Sequence, residues 1–327
     1  MRRDDIPWEW TFAPEPTAPP ITEALKSGPT GRAARRYHLT DRVFGGGKVA
    51  LNALFGVLPP PAAASLGGRV AGTFSRRYYG EAPFVQRMKA HAAVLDPTLG
   101  DDEAREAFVR RWFASTGRTM SDFANLEAIA TRHTQVTGRE AMEAARHDGR
   151  PLVVVTVHTG TWELVSYFSS RHLFNRGSGA WAPQSNRFEN RIVARTRRRL
   201  DIKALPATPQ LAPRLYRVLK EPGQFIVLVV DEPSEGTVKF PLFGRSVPER
   251  CNFAFALRVA QRAGGIVLPV VIARTGPSTH AFAYRPAIEV RPGEEGLGQA
   301  AGALNGIYEP HVRAHLDQWY MLHKLRL

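Results

Sequence analysis

The residues best suited to chemistry in this chain are a histidine and a glutamate five positions apart, in His158-Thr159-Gly160-Thr161-Trp162-Glu163. They follow a run of mostly β-branched apolar residues, 152–157, and precede a segment with helical periodicity. His158 therefore falls at the carboxyl edge of a strand and Glu163 in the first turn of the next helix, where a tight turn can bring the two side chains together. Such a pair has a clear use. A carboxylate bonded to one imidazole nitrogen fixes the tautomer and leaves the other nitrogen free to take a proton from a hydroxyl. The spacing fits a plain helix start equally well, with Glu163 at the N3 position of a helix capped near Gly160 and His158 a bonded turn residue.

Three further groups stand out. Asp231 ends a second apolar run, 225–230, ahead of Glu232-Pro233-Ser234-Glu235-Gly236. An acid there either points into the same crevice as His158 or starts a turn. Arg187, Arg191, Arg195 and Arg198, at steps of four, four and three, stack along one helical face beside the apolar Phe188, Ile192 and Leu200. Such a row either grips phosphates or is a solvated basic face. Trp319, His323 and Arg326 share a face if the carboxyl end is helical, and core packing plus a basic terminus accounts for them as well.

These groups need a frame. The apolar runs 152–157, 225–230 and 266–272 alternate with helical segments. That pattern predicts an α/β fold with a mixed, largely parallel sheet covered by helices on both faces. The stretch 282–290 reads as an antiparallel return strand and 293–315 as a closing helix. Reactive groups in such sheets collect where strands end and helices begin. Residues 38–148 form a helical N-terminal region, continuous as one domain with 149–327. Residues 1–37, with Pro14, Pro16, Pro19, Pro20 and Pro29, read as an extended arm or linker. The longest uncharged run, 49–68, is broken by Pro59-Pro60-Pro61. Two segments result, 49–58 and 62–77, lying on a membrane surface or packed as ordinary core helices.

Composition narrows the classes. With 43% apolar and 23% charged residues, the 327-residue chain is not a disordered tail, a collagen or a coiled coil. Forty-four Lys and Arg against 30 Asp and Glu give 44 − 30 = +14, which favours an anionic partner: nucleic acid, an anionic lipid surface or an acidic carrier protein. The basic helix comes with no aromatic-studded RNA motif or zinc finger. The single cysteine, Cys251, excludes an internal disulfide framework and a zinc site of several thiolates. The start of the chain has no apolar stretch of the kind a secretory signal needs, so none is expected.

Taken in order, these pieces resemble the lipid A biosynthesis acyltransferase family, the lauroyl and myristoyl transferases and their relatives that act on phosphatidylinositol mannosides, over about residues 40–327. The family places a histidine, four residues and an acid after a strand, as His158 and Glu163 stand here. It has an acid after a later strand, then a turn and a Pro-Phe-Phe-Gly-like element, here Asp231 followed by Phe240-Pro241-Leu242-Phe243-Gly244. A helix leads to a Val-Leu-Pro-Val strand, here 266–270, and the end is Trp-rich with His and Arg, here Trp319, His323 and Arg326.

The resemblance implies a lysophospholipid-acyltransferase-like enzyme. His158 would be the base and Glu163 its partner. The backbone amides of Thr159, Gly160, Thr161 and Trp162 would supply an oxyanion site. Arg187, Arg191, Asp231, Trp319, His323 and Arg326 would bind substrate. The donor would be an acyl carrier protein or coenzyme A thioester and the acceptor a lipid or glycolipid hydroxyl, with no cofactor or metal. The protein would sit peripherally on the cytoplasmic side of the inner membrane, against its anionic surface, and no nucleic acid is expected. Three departures stand out: Ala182-Pro183 where an Arg-Pro pair is usual, Glu232 where Gln usually follows the acid, and no proline shortly before Trp319. Arg187 or Arg191 is expected to supply the missing cation. The competing readings are a non-catalytic lipid- or partner-binding protein on the same scaffold, favoured by the missing arginine, and a nucleic-acid-binding protein, motivated only by charge.

Overall fold

The computed structural model of the chain describes residues 15–173 and 177–327. Five parallel strands form its centre: β2 (Leu152–Thr156), β3 (Gly177–Trp181), β4 (Lys203–Pro206), β5 (Phe225–Val229) and β6 (Ile266–Arg274). Two strands extend the β6 side, β7 (His280–Tyr284) antiparallel to β6 and β1 (Thr134–Thr137) parallel to β7, giving the order β1-β7-β6-β2-β5-β3-β4. A short β8 (Ile288–Glu289) also pairs antiparallel with β6. The mixed, largely parallel sheet is the expected one. Strand β1 was not expected, because four residues, Thr-Gln-Val-Thr, are too short for their alternation to stand out inside a helical region.

The central strands are buried on both faces, which is why they read as unbroken apolar runs. Alternate side chains of β2 enter opposite cores. Val153 and Val155 join the layer built with Trp112, Phe253 and Tyr308, whereas Leu152 and Val154 join that of Leu164, Phe168 and Phe282. One ladder position is unusual. Val155 lies opposite Pro269, which has no N–H to donate, and the Tyr308 hydroxyl fills the gap: it donates to the Val155 carbonyl at 2.6 Å and accepts from the Val270 amide at 3.1 Å.

In the N-terminal region, α1 (Gly28–Arg35) is followed by α2 (Asp41–Val57), α3 (Pro60–Val70), α4 (Arg76–Tyr79), α5 (Pro83–Leu95), α6 (Asp102–Asp122), α7 (Leu126–Arg132) and, after β1, α8 (Arg139–His147). Within the predicted arm, residues 1–14 lie outside the described residues. The described part is not extended: it holds a 3-10 turn, Ile21–Leu25, and α1, whose Pro29 sits in the first turn where its missing N–H goes unneeded. As expected, the triple proline separates α2 from α3, with Pro60 starting α3. Helix α3 lies so close on α6 that a Cβ at Gly67 would come 2.7 Å from the Gly117 carbonyl oxygen, so this crossing requires glycine. Helices α2 and α4 leave large apolar side chains exposed: Phe44 is 65% exposed, Val57 79% and Tyr78 71%. Among the described residues, no helix is long and apolar enough to cross a membrane.

The remaining helices cover the sheet: α9 (Glu163–His172), α10 (Arg187–Arg199), α11 (Leu211–Lys220), α12 (Asn252–Arg262) and the closing α13 (Gly293–Ala314). The carboxyl end is not the α-helix that would align Trp319, His323 and Arg326. Two 3-10 turns, Leu316–Gln318 and Tyr320–Lys324, break at Trp319, which is extended and fully buried, while Arg326 is exposed.

Candidate active site

Strand register assembles the site. Adjacent strands β2 and β5 pair in parallel with Thr156 opposite Val229, so two residues further along both chains His158 stands beside Asp231. Their contact is close. The His158 backbone amide donates to Asp231 Oδ2 at 3.0 Å and the ring Nδ1 lies 2.7 Å from Oδ1. Asp231 is fully buried and accepts a third bond, from the indole Nε1–H of Trp319 at 2.7 Å. Three donors thus converge on one carboxylate and fix it.

The expected His158–Glu163 contact is not made. Glu163 accepts two bonds from Arg197, Nε–H at 2.6 Å and Nη2–H at 3.2 Å, and is 4% exposed. The reason is the turn between the two residues. Gly160 takes φ +53°, and its peptide is held from behind: the Thr119 hydroxyl donates to its carbonyl at 2.9 Å. A Cβ at Gly160 would sit 3.3 Å from the Arg274 backbone nitrogen, so a side chain would press on the end of β6 as well as strain the turn. The chain then enters α9 with Glu163 facing α10 and the ring of Trp181, over which the Arg197 guanidinium lies at 5.4 Å.

A second buried ion pair anchors the same turn. Arg274 Nη2 is 2.6 Å from Asp122 Oδ2, and both groups contact the Thr161 hydroxyl, at 2.9 and 2.5 Å. Burial pushes the Asp122 carboxyl up, against the pull of Arg274. His280, whose Nε2 is 3.0 Å from the Thr161 hydroxyl, is pushed down to about 3 by burial and by Arg274. Thr159 is fixed separately, its hydroxyl donating to the Ile272 carbonyl at 2.8 Å. His158 is therefore held at a rigid strand end.

Its other nitrogen meets a second carboxylate. Nε2 is 3.4 Å from Glu232 Oε1, and the ring is flanked by Trp162 at 4.8 Å and Tyr320 at 6.4 Å between centroids. Burial alone would lower the imidazole, but Asp231 and then Glu232 outweigh it and push the pKa up to about 10. Glu232 also lines an apolar cavity of about 90 Å³ at the carboxyl ends of β3, β4 and β5, beside Trp181, Leu211, Leu228 and Phe255. From His158 a row of rings, Trp162, Tyr320, His323 and Phe84, with successive centroids 4.8, 5.5, 5.4 and 6.2 Å apart, leads toward Tyr79, 6.0 Å beyond Phe84 and next to the exposed Tyr78 and Phe74.

The other expected site residues divide. Trp319 reaches the site by holding Asp231 and is sealed from solvent. His323 belongs to the aromatic row, with Nδ1 2.8 Å from the Tyr320 carbonyl. Arg326 is exposed, and its backbone carbonyl accepts from Arg245 at 2.8 Å. Arg187 is turned toward the N-terminal region: its guanidinium lies 3.8 Å over the Tyr37 ring and donates to the Tyr37 carbonyl. Arg191 pairs with Glu15 on the surface. The cation that meets the motif is thus Arg197, which lies off the four-residue arginine row and was missed for that reason. Of the four amides expected at the oxyanion site, that of Thr159 is bonded to the Val157 carbonyl at 2.8 Å. Cys251 caps α12, its sulfur accepting from the Ala254 amide, and burial pushes its thiol pKa up.

Comparison with known proteins identifies the class. The sequence pattern of the bacterial lipid A biosynthesis acyltransferase family matches residues 47–326. No curated protein matches the chain. Among solved structures it is similar to the 1-acyl-sn-glycerophosphate (LPA) acyltransferase PlsC from Thermotoga maritima, at 15% identity and a TM-score of 0.36, covering 73% of this chain and 98% of that one. The chain belongs to the bacterial lipid A biosynthesis acyltransferase family and is an acyltransferase.

Proposed function

We propose that the protein transfers a fatty acyl group from a thioester, of acyl carrier protein or coenzyme A, to a hydroxyl of a lipid or glycolipid, with His158 as general base and Asp231 as its partner. The observation that carries this is the buried Asp231–His158 bond, with Glu232, 3.4 Å from the other ring nitrogen, lining a cavity beside it. Asp231 binds Nδ1–H, so the working nitrogen is Nε2. The acceptor O–H gives its proton to Nε2 while its oxygen bonds to the thioester carbonyl carbon. The tetrahedral intermediate collapses with loss of the C–S bond, and the imidazolium returns the proton to the departing sulfur. The amides of Gly160, Thr161 and Trp162, at the start of α9, are the donors best placed for the oxyanion.

In this reading the Glu163–Arg197 pair supports the site instead of relaying protons. The cavity beside Glu232 takes the start of the acyl chain. The exposed apolar side of α2 and α3, bordered by basic residues such as Arg42, Lys48 and Arg69, rests on the anionic cytoplasmic face of the inner membrane. The aromatic row leads lipid from that face to the base.

One experiment tests these points together. Purified protein is mixed with labelled acyl carrier protein and coenzyme A thioesters and anionic vesicles carrying candidate acceptors. Transfer should depend on vesicles with which the protein sediments, and H158A should abolish it while the fold survives. Wild-type turnover by H158A would remove the base assignment.

A further inference from the structure

The Nε2 nitrogen of His158, which must receive the acceptor's proton, is occupied in the free protein. We propose that Glu232 is a displaceable guard on the base: its carboxylate holds Nε2 in the resting state, and the acceptor hydroxyl must push it aside to reach that nitrogen. This rests on the reading of His158 as the base.

The geometry is asymmetric in a telling way. Asp231 is fully buried and locked by three donors, whereas the Glu232 side chain is 31% exposed and, among the described residues, has one close polar partner, His158 Nε2 at 3.4 Å. The first carboxylate is built to stay and the second is free to leave. The backbone favours this, since Glu232 lies in the loop beyond β5, ahead of Pro233, with no strand or helix fixing it. Its side chain also lines the apolar cavity, so an acyl chain entering there meets the same carboxylate that covers the base.

The groups facing the ring are few. Asp231 and Glu232 come from the β5 loop, Trp162 from the start of α9, and Tyr320 with His323 from the carboxyl end. The two carboxylates are the anions. His323, in contact with Tyr320, is held below the ordinary histidine range by burial. Tyr320 is raised by burial and by Glu189 and Glu232, so it stays neutral near pH 7. An imidazole between two carboxylates keeps both its protons, which leaves no lone pair on Nε2. That state resists water, so the thioester is protected until a docking acceptor displaces Glu232, which leaves as the carboxylic acid with the Nε2 proton and so frees the lone pair that the acceptor hydroxyl needs. Removing one of two facing anions should therefore free the ring more readily.

The test is Glu232→Gln, read in two ways. Nitrogen-edited NMR of the histidine rings should place the His158 titration about one unit lower in the variant than in the wild type, allowing for the partly exposed position of Glu232. The acid limb of kcat/KM for acyl transfer should move down by the same amount. At neutral pH the variant should hydrolyse donor thioester, without acceptor, several-fold faster than the wild type. An unchanged His158 titration in a folded variant would overturn the guard. Turnover by H158A would instead defeat the base assignment, and the NMR result does not depend on it.

Discussion

Replacing Asp231 by Asn changes one oxygen to an NH₂ in a site where three donors converge. Oδ1 receives Nδ1–H of His158, and Oδ2 receives the His158 amide and the Trp319 indole. If the new NH₂ takes the place of Oδ2, two buried donors lose their acceptor, at about 1–3 kcal/mol each. If it takes the place of Oδ1, only the imidazole is affected: Nδ1 must now accept, and the proton moves to Nε2. The second orientation is cheaper, and it leaves the ring as the tautomer that cannot act as a base. Acyl transfer by D231N should therefore fall by about 10²–10⁴, the span of general acid–base contributions. The assay is single-turnover transfer from a labelled thioester over a range of pH, with circular dichroism and thermal melting to verify the fold. A folded D231N variant within threefold of wild-type kcat would refute the Asp231 assignment and the tautomer argument with it.

Glu163→Gln should behave differently. It breaks a buried ion pair with Arg197, costing about 3 kcal/mol. For a chain of this length that is a fall in melting temperature of about 4 °C, with a smaller loss of kcat than in D231N. Equal catalytic loss without any loss of stability would show that Glu163, not Asp231, serves the base. Stability should also depend on pH in a set direction. His280 is depressed to about 3 by burial and Arg274, and His311 to about 4 by burial and His315. Both protonate in the unfolded chain near 6.5 but not in the folded one, so stability falls as pH drops below 6.5, by about 2 kcal/mol per histidine at pH 5. His158 has the opposite sign: its folded pKa of about 10 lies above the unfolded value, so its contribution is full below 6.5 and fades as pH rises toward 10. Urea midpoints should peak near neutrality, and a midpoint unchanged between pH 7 and pH 5 would contradict the buried neutral histidines.

Much of this was legible in the residues alone. The apolar runs of β2, β5 and β6 show buried parallel strands because a strand covered on both faces has no polar side to alternate with. The placement of His158 and Asp231 at strand ends follows from where those runs stop. The break between α2 and α3 follows from prolines that cannot donate. Each is a local property, set by side-chain type and covalent geometry within a few residues.

Partnership was another matter. Periodicity offered His158 the nearest carboxylate in sequence, Glu163, and passed over Arg197 because it lies off the arginine row. Pairing β2 with β5 in register gave His158 the carboxylate 73 residues away and sent Glu163 to α10. The Trp319 bond to Asp231 joins residues 88 apart. Contacts at that separation depend on strand order and on the left-handed turn at Gly160. Those are fixed only when the entire core closes, since no short segment can bury its apolar face alone.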